Sequence, residues 1–198
     1  WQHRTMTALT GVALMTELSS PAARLVALRA HMASQAWQAC LIPTNDPHLS
    51  EYLPAHWQSR EWLSGFTGSA GTLLVTDQHA ALFTDSRYWE QAERELAGSG
   101  IALVKLDGQP TPAYVDWLRQ QQLTHDKPTL AADGMALSLA QGLALREALN
   151  QIGWQLATRQ DPVGPIWVDR PSVPLAAVFE HALPYAATSW AVKLAGLR

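Results

Sequence analysis

The sequence predicts an α/β fold, a mixed β-sheet with helices on both faces. Three observations predict it. Short aliphatic runs recur between segments with helical spacing of apolar residues. Two adjacent runs, "TLLVT" (72–76) and "AALFT" (80–84), are separated only by Asp77, Gln78 and His79, which suits a tight hairpin and so an antiparallel pair. The 198 residues are 47% hydrophobic, and a chain of this length buries roughly 70% of its unfolded surface around a core.

Each element has a local reason. Ser20 is placed to cap a helix whose first residue is Pro21, with Leu25, Leu28 and Met32 in one stripe and Val26 beside them. "ACLIP" (39–43) reads as a buried strand and "TNDPH" (44–48) as the turn that ends it. After the hairpin, "DSRYWEQAERELAGSG" (85–100) reads as a helix capped by Asp85 or Ser86 and closed by glycine. "IALVKL" (101–106) is a strand, "TPAYVDWLRQQQL" (111–123) a helix opening near proline, and "TLAAD" (129–133) a strand. A helix from Ser138 and a last strand in "GWQLAT" (153–158) complete the alternation.

Four units follow from these patterns. Residues 1–20 read as a disordered leader or cloning remnant. Residues 21–160 form the α/β domain. Residues 161–174, with Pro162, Pro165, Pro171 and Pro174, form a stiff connector. Residues 175–198 start a further, truncated domain, so Trp167 and the segment after Pro174 are expected to be apolar and exposed, a surface that favours self-association.

Composition excludes some classes of function. A net charge of -3 with scattered Lys and Arg leaves no basic footprint for nucleic acid or a membrane surface. No segment reaches the ~20 apolar residues of a membrane span. Cys40 is the single cysteine, so a reducing compartment, the cytoplasm, is the simpler reading.

"SGFTGSAGTLLVT" (64–76) places Gly65, Gly68 and Gly71 at three-residue intervals. A dinucleotide fingerprint needs strand, glycines and then a helix; here a strand follows and no P-loop lysine is present. Ser69 lacks the glycine two residues before it that a nucleophile elbow requires. The glycines therefore read as shaping a loop. In "NDPHLSEY", Asp46, His48 and Glu51 are metal-ligand types, but a polar loop at a strand end is the simpler reading. In "FTDSRYW", Asp85, Arg87 and Tyr88 stand where α/β sheets bind ligands. A helix cap plus an Arg–carboxylate contact explains them as well. The nine tryptophans serve a core, an interface, or both.

"DPHLSEY", "FTGSAGTLLVT", "FTDSRYWEQAERELA" and "VKLDGQPT", in this order, resemble the N-terminal domain of the three-domain Xaa-Pro aminopeptidases, the aminopeptidase P group related to prolidase and creatinase. "DPVGPIWVDRPSVP" resembles that group's connector into a middle domain. The resemblance implies a ribonuclease-H-like fold and a homo-oligomeric, cytoplasmic parent enzyme. That parent would act on short proline-containing peptides, removing the residue before proline with two divalent ions, for which the resemblance implies manganese. The family's metal ligands lie in a C-terminal "pita-bread" domain, so the resemblance implies no catalytic residue and no cofactor in this chain. Asp46, His48, Asp85, Arg87 and Tyr88 become its substrate-side or interface residues. The implied role is to shape substrate access and subunit contacts; the alternative is a stand-alone binding or assembly domain.

Overall fold

The computed structural model describes residues 18–108, 110–121, 126–182 and 185–197; most of the expected leader lies outside them. Six strands form one sheet: β1 (Ala39–Pro43), β2 (Thr72–Thr76), β3 (Ala80–Asp85), β4 (Ala102–Leu106), β5 (Thr129–Ala132) and β6 (Gln155–Ala157). Their spatial order is β4-β3-β2-β1-β5-β6. β2 is antiparallel to both neighbours, with Leu41 opposite Leu74 and Leu73 opposite Leu82. The pairs β1–β5, β3–β4 and β5–β6 are parallel. The sheet is mixed because the β2–β3 hairpin is inserted into an otherwise parallel array. Thr76 and His79 close that hairpin, the Thr76 N–H donating to His79 O at 2.8 Å.

Among the described residues there are six α-helices: α1 (Pro21–Ser34), α2 (Ser59–Ser64), α3 (Trp89–Glu95), α4 (Pro110–Gln120), α5 (Leu139–Asn150) and α6 (Trp190–Leu197). α1 starts as the sequence predicts, the Ser20 hydroxyl accepting from the Ala23 N–H at 3.2 Å. α5 starts with a capping box between Ser138 and Gln141.

Side-chain alternation along the strands divides the core in two. Cys40, Ile42, Leu73, Val75 and Leu82 face α1, α2 and α3, joined by Val163 and Trp167 from the following segment. Ala39, Leu41, Leu74, Ala81 and Phe83 face α4 and α5 through Tyr114, Leu118, Leu145 and Leu149. Every residue of β2 is buried, as a central strand covered on both faces must be.

Two expectations need correction. The helix after β3 starts at Trp89, behind an N-cap Tyr88 that makes no side-chain cap bond. Asp85 and Ser86 do not cap it, because the Asp85 carboxylate is held by Arg87 instead. Trp167 is 7% exposed rather than open to solvent, since it stacks on Trp62. Leu175, Val178 and Phe179 are exposed as expected.

Candidate functional site

The carboxyl ends of β1, β3 and β5 and the amino end of β2 share one edge of the sheet. The glycine loop crosses that edge. Gly65 ends α2 in the left-handed region at φ 73, its N–H donating to Glu61 O at 2.8 Å. The chain then folds around Arg60. Its Nε donates to the Thr44 hydroxyl at 2.9 Å, one Nη to Phe66 O, and the other to Gly68 O at 2.5 Å. Thr44 in turn donates to Gly71 O at 2.6 Å, so one arginine and one threonine close the loop at both ends. A phosphate cradle presents N–H groups inward; this loop presents carbonyls to a buried cation. The polarity is reversed, which answers what the glycines are for.

Arg60 is 3% exposed and lies over the Phe66 ring at 4.8 Å. Burial pushes its guanidinium down to about 10, against the raising fields of Glu61 and Glu95. Gly68 has no room for a side chain: a Cβ there would lie 2.3 Å from Phe66 Cζ and 2.8 Å from Tyr88 Cδ1. Sequence reasoning missed Arg60, which sits in a six-residue helix with no readable periodicity. The available signal was a glycine-rich loop whose carbonyls needed a donor.

The structure brings Asp85, Arg87 and Tyr88 together. Arg87 holds Asp85 with Nε on Oδ1 and Nη2 on Oδ2, both at 2.8 Å. That contact keeps the Asp85 carboxyl below the usual range. Arg87 also stacks over the Tyr88 ring at 5.3 Å, and the Tyr88 hydroxyl meets the Ser69 hydroxyl at 2.6 Å. The β3 end is thus tied to the glycine loop. Glu95 adds a second tie by accepting from the Thr67 N–H at 2.8 Å.

Asp46 and His48 form a separate turn. The Asp46 side chain is buried at 2% exposure, and its Oδ1 accepts from the N–H groups of His48 and Ser50, each at 2.9 Å. Burial alone would raise this carboxyl; the bonds from Ser50 and His48 outweigh it and hold it below the usual range. His48 and Glu51 are exposed. The Asp46 turn and the glycine loop flank a cleft of about 180 Å³ with Glu51, Tyr52, Trp57, Arg60 and Glu61 in its walls. Asp46, His48, Asp85, Arg87 and Tyr88 are not among the residues lining this cleft, whereas Glu51 and Ser69 are.

The segment after β6 is fastened to the cleft wall. Arg170 pairs with Asp161, donates to His56 O at 2.7 Å, and stacks near Trp57 and Trp167 at 5.6 and 5.5 Å. Trp57 lines the cleft, so this segment and the cleft share a wall.

Among the described residues no group of three His, Cys, Asp or Glu side chains could hold a metal ion. No described helix is long and apolar enough to cross a membrane.

Comparison with known proteins follows the same lines. A Talaromyces marneffei protein named probable Xaa-Pro aminopeptidase P is 36% identical over 177 residues, 88% of this chain and 26% of the relative. Human Xaa-Pro aminopeptidase 2 is 35% identical over 88% of this chain and 25% of its own length. The chain therefore spans about a quarter of these relatives. The solved structure of X-prolyl aminopeptidase from Caenorhabditis elegans, described as a cytosolic enzyme with a di-nuclear active site, superposes with a TM-score of 0.68. The two are 31% identical, over 79% of this chain and 27% of that one. The N-terminal domain of a cytoplasmic peptidase from Mycobacterium tuberculosis shares the fold at TM-score 0.56 and 24% identity, over 73% of this chain and 98% of that one. The model for the creatinase/prolidase N-terminal domain matches residues 24–159, which hold all six strands and the helices from most of α1 through α5, and the chain belongs to that family.

Proposed function

We propose that this chain is the N-terminal module of a metal-dependent Xaa-Pro aminopeptidase, which releases the residue preceding proline from short peptides. The module shapes access of the peptide and carries subunit contacts, without taking part in bond cleavage. The observation that carries this reading is the fold and 31% identity shared with the Caenorhabditis elegans X-prolyl aminopeptidase. The named curated relatives support it.

The module's own residues suit such a role. Glu51 and Glu61 give the cleft negative charge, and Tyr52 and Trp57 give it aromatic faces. These are partners for a peptide's ammonium end and its proline ring. Asp46 holds the turn that presents His48, and Asp85 fixes the exposed Arg87 beside Tyr88. In this reading these five residues make up the substrate-side or interface surface, with buried Asp46 acting through the turn that carries His48. The two divalent ions, manganese in this reading, belong outside the module, in a homo-oligomeric cytoplasmic enzyme.

The test is release of the N-terminal residue from a short Xaa-Pro peptide by the full-length protein. Turnover that chelation abolishes and manganese restores is expected; a full-length protein without turnover overturns the reading. The 198-residue chain alone is expected to be inactive with or without manganese. Turnover by it would place the chemistry on this module, beginning with Asp46, His48 and Glu51.

A further inference from the structure

A second cavity, about 320 Å³, opens at the same sheet edge but on the face covered by α4 and α5. Leu41, Pro43, Leu137 and Leu145 form its apolar lining, and Asn45, Thr111 and Gln141 stand at its polar side. It lies beside the carboxyl end of β1, where strand order reverses: the chain runs from β1 out through β2, β3 and β4 on one side and returns to β5 and β6 on the other. Open α/β sheets hold ligands outside strand carboxyl ends at such switch points. Its volume falls within the roughly 300–1,000 Å³ of small-molecule sites, which the cleft beside Arg60 does not reach.

The lining fixes the chemistry of an occupant. No charged side chain is among the lining residues, so a charged ligand would lose its hydration without compensation. Asn45 Nδ2 donates to Ala136 O at 3.0 Å, which orients its Oδ1 as an acceptor without a partner among the described residues. Gln141 Oε1 accepts from the Ser138 N–H at 2.9 Å, which leaves its Nε2 as a donor in the same condition. An acceptor and a donor among the residues of an apolar-walled cavity match in kind the N–H and C=O of a carboxamide. Neither atom is sealed from solvent, so an amide that replaces solvent there loses no hydrogen bond.

We propose that this cavity is a binding site for a neutral carboxamide with a compact apolar body, the chemistry of an internal peptide unit. It is separate from the cleft beside Arg60 and stands independently of the peptidase reading.

The test is titration of the isotope-labelled 198-residue chain with N-acetyl-L-prolinamide, followed by amide chemical shifts. Saturable shifts confined to Asn45, Thr72, Tyr114 and Gln141 and their neighbours are expected at millimolar ligand. N-acetyl-L-proline, which carries a carboxylate, should bind about tenfold more weakly or worse. Gln141→Glu keeps the oxygen that caps α5, and glutamate serves that cap equally well. It removes the donor, so it should weaken the amide by about fivefold to tenfold with the fold intact. Absence of saturable shifts, equal affinity for acid and amide, or shifts centred on Trp57 and Gly68 would each overturn the proposal.

Discussion

The indole of Trp167 lies 4.9 Å from that of Trp62, centroid to centroid and within 14° of parallel. Arg24 stacks over Trp62 at 4.9 Å and Arg170 near Trp167 at 5.5 Å. Four residues from α1, α2 and the segment after β6 thus hold one another. Trp167 is nearly buried, and Val163 beside it completes the same apolar cluster. Trp167→Ala should therefore cost about 3–5 kcal/mol of unfolding free energy. Trp167→Phe, which keeps an aromatic face, should cost clearly less. Urea unfolding of both variants measures the difference; a loss below 1 kcal/mol for the alanine would show that the segment is not docked.

Arg60 likewise ties several segments together, bonding Thr44, Phe66 O and Gly68 O at once. Removing its guanidinium leaves the buried carbonyls of Phe66 and Gly68 without their donor. Arg60→Met should destabilise the chain by about 2–4 kcal/mol. Arg60→Lys keeps a charge but cannot reach Thr44, Phe66 and Gly68 at once, so it should recover less than half. Equilibrium unfolding checks both values.

Two glycines should respond oppositely to the same change. At Gly68 a methyl group meets Phe66, which is fully buried and cannot swing away. Gly68→Ala should cost about 1–3 kcal/mol by overpacking. Gly142 lies inside α5 with open space around its Cβ position, and Gly142→Ala should add up to about 1 kcal/mol. Thermal unfolding of the pair shows whether loop geometry or helix propensity governs each site.

These effects also mark what could be read from the sequence. β1, β2 and β3 were legible because five consecutive apolar or small residues between turn signals have few alternatives. α1 and α5 were legible from Ser20, Pro21 and Ser138. The Asp85 cap failed because Arg87, two residues away, competes for the same carboxylate with two stronger bonds. Trp167 failed because proline spacing describes stiffness and carries no information about Trp62, more than a hundred residues earlier. Arg60 was illegible for a related reason: its partners are backbone carbonyls, which every sequence supplies. Asp46 accepts from the His48 N–H, and Asp85, Arg87 and Tyr88 touch one another, contacts that short sequence separation makes possible. The separation of these residues from the cleft needed the tertiary structure.

Acid should loosen the edge loops in a defined direction. The Asp46 and Glu95 carboxyls are held below the usual range by hydrogen bonds that outweigh burial, and Asp85 by Arg87. A carboxyl lowered in the folded state adds stability that is complete above its unfolded value, about 4. That stability is lost as pH falls through the folded value. Asp133, raised by burial and by Asp161, acts in the opposite sense. Three carboxyls oppose one, the exposed Asp85 pair contributing least, so stability should fall below about pH 4. Asp46→Asn keeps an acceptor for His48 and Ser50 but cannot titrate, and should flatten the decline. Unfolding free energies at a series of pH values from 6 downward measure the slope, and an unchanged slope would remove Asp46 from this account.

Arg87 separates stability from function. Its side chain is 68% exposed and its partner Asp85 39%, and exposed pairs of this kind add little to folding. Arg87→Ala should leave the unfolding temperature of the 198-residue chain unchanged within error. If Arg87 faces the peptide, as proposed, the full-length enzyme carrying the same change should show a raised KM with kcat retained. If it faces a neighbouring subunit, sedimentation should show weakened assembly, increasingly so with added salt. A variant with normal stability, kinetics and assembly would confine Arg87 to holding the β3 turn, and the bond to Asp85 would then be its whole purpose.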